Sequence, residues 1–345
     1  MTHAGNHDQR RSQAAPPRTS TESRRRRSGS TGLAAAISAR EAGADVVLLE
    51  KGSREDVGGN AAFSGGLFLF RYDGPDDLTS ITQDFEPGMR AERIEAPAYT
   101  GAAYAAELMA MSDDRADPRL VEALAERSLD TMRWLASNGV RFTFNRSVGA
   151  HVRDGALRIP PGQILTSTGE GMSRGFEVIK PLLRHAERIG VEIRWSTPLT
   201  DVVRDNARVT GVVSGHSTVP ADAVAIASGG FQASRELRHR HLGPEWENAK
   251  LRGKSHWATP LERPPFVAYH TVAGLTFTFC GVRIDPDGRA LGADGMPVPA
   301  LYAAGEATGG LFYGDYPGGA ALMRAAVFGR AAGHTAATET TPHPG

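Results

Sequence analysis

Tyr316-Pro317-Gly318-Gly319 joins a phenol to a turn of bare backbone, and a small-residue run of helical character follows as far as Gly333. Just ahead of it, a short apolar run ends in Ala304-Gly305-Glu306. Residues of these types at this spacing bring main chain against a large planar ligand. Gly305 removes the β-carbon that would block close approach. A helix opening near Gly318 turns unpaired N–H groups and the positive end of its dipole outward. An anionic edge, such as the N1–C2=O side of a reduced flavin, suits that position. Ordinary packing glycines at a strand–turn–helix corner account for the same residues equally well.

A second constellation lies near the other end. Gly32 to Ala36 opens a helical stretch to Ala42, Gly43 stops it, and Asp45 to Glu50 reads as a buried parallel strand ending in an acid. That is the second half of a dinucleotide-binding βαβ unit, with Glu50 placed to hold ribose hydroxyls. Gly58-Gly59-Asn60 and Phe63-Ser64-Gly65-Gly66 offer two more close approaches of backbone to a cofactor. Two constellations, one near each end, favour a dinucleotide over packing glycines.

These segments resemble the fumarate reductase/succinate dehydrogenase flavoprotein superfamily, and most closely its FAD-dependent tricarballylate dehydrogenase-like branch. The resemblance rests on GLAAAISAREAGADVVLLEK, VGGNAAFSGG, the Ala227 to Phe231 strand end, TFTFCGVRIDPDGRAL and LYAAGEATGGLFYGDYPGG. It covers most of residues 32–253 and again 257–333. It implies an α/β fold with a Rossmann-like FAD-binding domain of glutathione-reductase type, built from discontinuous segments. It further implies noncovalent FAD, and an oxidoreductase passing a hydride between flavin N5 and a small carboxylate such as a tricarballylate-like acid. Site roles follow from the same resemblance. Gly29 and Gly32 belong to the phosphate loop, and Glu50, followed by Lys51, holds the ribose. Gly58, Gly59, Asn60, Ser64, Gly65 and Gly66 line the flavin, while Ser228 and Gly229 end a cofactor strand. Gly305 and Glu306 meet the ribityl chain, and Gly318, Gly319, Ala321 and Leu322 the pyrimidine edge.

The chain departs from that family twice. The family opens on an apolar strand running into Gly-x-Gly-x-x-Gly; here Thr19 to Arg27 reads TSTESRRRR, and the first glycine position is Arg27. Four adjacent charges do not form the central strand of a parallel sheet unless paired. The family also inserts a substrate cap after the ASGGF strand end. Only 37 residues separate Phe231 from Tyr269, below the roughly 50 an independent domain needs. The segment, polar and without periodicity, reads as an internal deletion of the cap. The expected organisation is a disordered basic tail over 1–31 and an FAD-binding domain over 32–253 with a helical insert at 72–188. A linker at 254–268, a C-terminal FAD-binding segment at 269–335 and a disordered tail at 336–345 complete it.

Desaturating or reducing a C–C bond needs donors that polarise the activating group, a proton-transfer partner and exclusion of water. In fumarate reductases a histidine precedes the Gly-Gly of the C-terminal strand and an arginine the final Gly-Gly; the matching positions here are Phe277 and Tyr316. A tyrosine beside Pro-Gly-Gly resembles the tricarballylate-like branch and the 3-ketosteroid dehydrogenases, where it hydrogen-bonds a substrate carbonyl. Tyr316 is therefore the first catalytic candidate. Arg174 is the second, either binding a substrate carboxylate bidentately or pairing at the surface with Glu170 or Glu177. Tyr313 lines the pocket or packs, His270 reads as core or surface, and Cys280 reads as a small buried side chain. His239 and His241, in a polar loop without a third ligand, make no metal site. A flavin-binding chain without turnover, or one that has lost flavin, is the alternative reading.

Composition fits this class. Hydrophobic residues make up 40% of 345, enough for a sizeable core, and the formal net charge of +0 implies no nucleic-acid partner. A single cysteine excludes an internal disulfide. No apolar run approaches ~20 residues, so no membrane span is expected, and a cytoplasmic setting fits. The expected partners are a small carboxylate substrate and an unidentified electron acceptor. Helices are expected at Leu120 to Leu135, ending at Asn138-Gly139, and from Arg174 to Arg188. A strand at 191–195, a hairpin at 199–213 and an apolar strand at 223–227 follow.

Overall fold

Small residues at helical spacing let two helices approach until backbone meets backbone, and the runs near residues 30 and 330 do so. The computed structural model of the chain describes residues 29–85, 88, 93–144, 149–162, 165–169, 174–232, 234–244 and 277–340. First in chain order come α1 (Ser30–Glu41), β1 (Val47–Leu49), β2 (Leu67–Phe68), α2 (Pro75–Ile81), β3 (Thr82–Asp84) and β4 (Arg93–Glu95). Next are α3 (Gly101–Met111), α4 (Pro118–Ser137), β5 (Phe142–Phe144), β6 (His151–Arg153), β7 (Ala156–Arg158) and β8 (Leu165–Ser167). Then follow α5 (Phe176–Arg188), β9 (Glu192–Arg194), β10 (Leu199–Asp205), β11 (Arg208–Ser214), β12 (Ser217–Pro220), β13 (Val224–Ile226) and α6 (Arg235–Leu242). The last elements are β14 (Arg289–Leu291), β15 (Pro297–Ala303) and α7 (Ala320–Thr340).

Every residue of α1 from Ser30 to Ser38 is buried. Its partner is α7. A β-carbon on Gly333 would overlap the carbonyl of Ala35, and one on Gly329 would lie 2.9 Å from the carbonyl oxygen of Thr31. The two ends of the described chain are thereby locked together. The expected boundaries shift at both: α1 begins inside the tail assigned to 1–31, and α7 runs past 335 to Thr340 with Ala336 and Ala337 buried.

The cofactor-type strands are parallel, as the sequence predicts. β1 pairs with β9, Val47 opposite Glu192, and β13 pairs with β15, Val224 opposite Leu301; β14 lies antiparallel on the far side of β15. Gly32, in the first turn of α1, sits over both groups: a β-carbon there would lie 3.5 Å from Leu48 Cδ1 and 3.7 Å from Ala227 Cβ. The strand expected to be buried is not fully so. Val47 is 39% exposed, because among the described residues β1 has a strand on one side alone. Arg24 to Arg27 fall outside the described residues.

The expected hairpin forms from β10 and β11, turning at Asn206 (φ 53°), and β12 adds a third strand the sequence did not signal. It closes a small core of Val209, Val212, Val224 and Ala300.

The insert corrects the expectation of helical material over 72–188. Two sheets cross it, ordered β2-β8-β5-β3 and β4-β7-β6. Strands of two or three residues are too short to show a period of two. Phe68 and Phe142 meet edge to face at 5.5 Å between them. Helix α4 matches its expected stripe, with Leu120, Val121, Leu124, Leu129, Met132 and Leu135 all buried. Its Asp117 cap accepts from the Arg119 N–H, and Gly139 (φ 89°) follows its end. Helix α5 starts at Phe176, two residues later than expected, and Gly190 (φ 85°) ends it. His239 and His241 lie on α6, not in a loop. The linker assigned to 254–268 lies outside the described residues. No helix among the described residues is long and apolar enough to cross a membrane.

Alanine is the better helix former by about 1 kcal/mol, yet Gly333→Ala is expected to destabilise the chain by about 1–3 kcal/mol through overpacking. A urea midpoint equal to or above wild type would show that α1 and α7 can part at no cost.

Candidate functional site

Strand β15 is apolar and buried at its end, and it delivers Gly305 and Glu306 into a single 3-10 turn, Gly305–Ala307. Gly305 has φ 67°, and a β-carbon there would overlap the Thr31 hydroxyl at the start of α1. Glu306 gathers three distant segments. Its carboxylate accepts from the Thr278 N–H at 2.9 Å, from Asn60 Nδ2 at 3.3 Å and from Gln232 Nε2 at 3.4 Å. Burial pushes this carboxyl above its usual range, opposed by the Thr278 N–H, the Arg324 charge and the two amides. Gly230 lies against the same cluster; a β-carbon there would stand 2.6 Å from Gln232 Oε1 and overlap Thr278 Oγ1 and Glu306 Oε1. Thr278 Oγ1 and Gln232 Oε1 are buried without a hydrogen-bond partner among the described residues. Buried orphans of this kind call for a partner such as an ordered water or a polar ligand.

The other cofactor candidates distribute around this knot. Gly29 caps α1, and Gly32 sits where α1 meets the ends of β1 and β13. Glu50 follows β1 with 2% exposure and accepts the Gly52 N–H at 2.5 Å; Lys51 points to solvent. Gly58 (φ 128°) and Gly59 (φ 55°) are buried ahead of Asn60. Ser64 Oγ donates to the Ala61 carbonyl and receives the Gly66 N–H. Gly65 follows Ser64, and Gly66 (φ 64°) leaves no room for a β-carbon against Ser167. Ser228 and Gly229 (φ 73°) lie just past β13. Gly318 is exposed, Gly319 (φ 87°) precedes α7, and in its first turn Ala321 is half-buried and Leu322 buried.

Tyr316 stands in an aromatic cluster, 4.7 Å from Phe277 edge to face and 5.5 Å from Phe312. Burial pushes its phenol up, Asp315 adds to that, and Arg324 opposes it. Arg174 sits by Gly66; its Nε donates to the Gly169 carbonyl and its Nη1 to Thr166 Oγ1. Glu170 lies outside the described residues, as does His270. Cys280 corrects its expectation: it is exposed, while its half-buried neighbour Phe279 packs against Phe312 and Tyr316. A cavity of about 520 Å³ opens there, lined by Arg115, Phe279, Cys280, Phe312 and Tyr313 among others. Arg115 stacks on the Tyr313 ring at 4.8 Å. That cavity touches none of the cofactor candidates, and the polar knot around Glu306 is the better-built site.

Sequence reasoning missed Thr31, Gln232, Thr278 and Arg324. Gln232 and Thr278 carry no local pattern. Arg324 did leave a signal, a lone charge inside the small apolar run ALMRAAVFG.

The chain matches the family profile described as FAD binding domain over residues 28–249 and 245–322. It is 28% identical over 215 residues to "Fumarate reductase (cytochrome)" of Shewanella frigidimarina, covering 61% of this chain and 33% of that protein. The matched stretch thus spans about a third of that curated relative. Among solved structures, the open conformation of a flavocytochrome c3 fumarate reductase superposes with a TM-score of 0.66 at 18% identity. That match covers 91% of this chain and 77% of that one. The 3-ketosteroid-Δ4-(5α)-dehydrogenase of Rhodococcus jostii RHA1 superposes with 0.64 at 18% identity, over 90% and 95%. These likenesses show the α/β FAD-binding fold. The residues present fit the cofactor: a buried acid at the end of β1, glycines at positive φ, and two orphaned oxygens beside Glu306 where a hydroxylated chain would lie.

Thr278→Val keeps the shape and removes one orphan, so the flavin-free protein should lose no stability. FAD affinity should fall about fivefold, one hydrogen bond's worth, in a flavin-fluorescence titration. An unchanged affinity would remove Thr278 from the site.

Proposed function

Since the chain belongs to the FAD binding domain family, we propose that it is the flavin-holding part of an oxidoreductase. The reaction exchanges a hydride with a C–C bond activated by a carboxylate, in a small acid of the tricarballylate or fumarate kind. The observation that carries this reading is the polar knot at Glu306 with its two orphaned oxygens, set beside a protonated tyrosine in an aromatic wall. FAD, when bound, supplies the two-electron store; an electron carrier of unassigned identity completes the cycle.

Glu306, Asn60, Gln232 and Thr278 hold the hydroxylated chain, and Glu50 the ribose. Both helix N-termini, at Gly29 and Gly319, face negative charge favourably. Tyr316 acts as a hydrogen-bond donor, not a base, because its shift is upward and the phenol stays protonated at neutral pH. It polarises an oxygen of the activating group. Phe277, Phe279 and Phe312 keep water from that donor and so strengthen it. Arg174 has a secondary place in this scheme, because two of its nitrogens already donate, one to Gly169 in the β8–α5 loop and one to Thr166 on β8.

One observation favours a second reading. The walls around Tyr316 are aromatic rings, which suit a cyclic ketone as well as a carboxylate. A flavin-holding chain without turnover is the third possibility that the same experiment resolves.

The protein is loaded with FAD, passed through gel filtration and inspected from about 350 to about 500 nm, the range of the flavin chromophore. Retained bands support the reading; a colourless, soluble protein that takes up no FAD sinks it. The reduced protein is then mixed anaerobically with unsaturated di- and tricarboxylates and, separately, with cyclic enones. Reoxidation by the acids is the expected result, enones alone favour the ketone reading, and neither leaves a flavin holder. Tyr316→Phe should retain flavin and slow reoxidation about 10²-fold. The ratio of the two rates should stay constant up to about pH 10, since a raised phenol pKa leaves the donor protonated below its ordinary value.

A further inference from the structure

Helix α7 carries one charge in its buried half. Arg324 is 2% exposed, and its Nε and Nη1 have no hydrogen-bond partner among the described residues. Its guanidinium carbon lies 4.8 Å from the centroid of Phe312 and 5.8 Å from that of Phe277. Both rings touch Tyr316. Arg330, six residues further on, shares an unpartnered Nε among the described residues, but its Nη1 donates to Asp130 at 2.9 Å and to Thr131 at 3.1 Å. The acid acting most strongly on Arg324 is Glu306, whose hydrogen bonds go instead to Thr278, Asn60 and Gln232. Burial pushes the guanidinium down to about 10, so it remains charged at neutral pH.

Packing does not explain this residue. A buried cation is retained at a cost unless its donors are used, and a methionine would fill similar volume without that cost. The aromatic faces around it satisfy the charge in part and none of its N–H groups. Among the described residues no planar acceptor hydrogen-bonds its Nε or Nη1.

We propose that Arg324 is the anion-recognising group of this site, taking a planar, delocalised oxyanion between the aromatic cluster and the Glu306 knot. A guanidinium matches such a group in shape as well as charge. The anion has two chemical sources, a substrate carboxylate or the pyrimidine edge of a reduced flavin. The second source rests on the flavin reading above; the first does not.

Wild type, Arg324→Gln and Arg324→Lys are compared as full chains, with folding checked by circular dichroism. In one arm succinate is titrated into the oxidised, flavin-loaded protein and read in the visible flavin bands. If no flavin is retained, the proposed function fails, and this arm is read in tryptophan fluorescence of the flavin-free chain. In the other arm sulfite is titrated without carboxylate; it adds to bound flavin and leaves the pyrimidine edge anionic. The glutamine variant should bind at least one probe about tenfold more weakly or worse, and lysine should recover part of the loss. Loss for succinate alone assigns the anion to substrate, and loss for sulfite alone assigns it to the flavin. The proposal is overturned if both affinities are unchanged within about twofold, or if wild type binds neither probe. Should the glutamine variant fail to fold, unchanged affinities in the lysine variant overturn it equally, since a point charge does not replace the planar fork.

Discussion

The contact on which the rest depends is the one between α1 and α7. Gly329 and Gly333 carry no side chain where α7 meets the Thr31 and Ala35 carbonyls, so the helices approach closer than any β-carbon allows. Residues separated by most of the chain then share one rigid unit, in which the start of α1 packs beside Gly329, well inside α7. Gly305 extends the logic one layer outward, where the turn after β15 rests on Thr31. A flexible fit is not available here, because backbone against backbone has no rotamers to adjust.

Around that unit, polar groups are placed by elements that share no sequence neighbourhood. Asn60 arrives from the loop after β1, Gln232 from the end of β13, and Thr278 from the chain leading to β14. Glu306 collects them from the end of β15. Burying an acid among them is unfavourable in itself, and three donors with a nearby guanidinium offset part of the cost. The aromatic cluster works in the same direction. It lowers the local dielectric, which strengthens what Tyr316 and Arg324 can do to an incoming group and penalises leaving them alone.

The insert between β2 and α5 shows a different rule. Its two sheets consist of very short strands, held by buried rings such as Phe68, Phe142 and Phe144 and not by long ladders of hydrogen bonds. Tertiary packing overrides local pattern in such segments. Cys280 belongs with them: its type predicted burial, and it is exposed.

Long periodic stretches were legible from the residues alone. The stripe of α4, the stop at Gly190, the hairpin of β10 and β11 and the parallel character of β1 and β13 follow from period, caps and turn chemistry, which act over a few residues. Glycines at positive φ, such as Gly59, Gly66 and Gly305, were legible for the same reason, since a special backbone angle restricts residue type locally. Which polar side chains meet was not legible. Gln232, Thr278 and Arg324 acquire their meaning from partners 28, 74 or more residues away or from rings on another element, and no local spacing encodes that. The sequence by itself determined the long periodic elements and the cofactor class. The tertiary structure alone decided which buried groups find partners among the described residues, because satisfaction is a property of the whole packed interior.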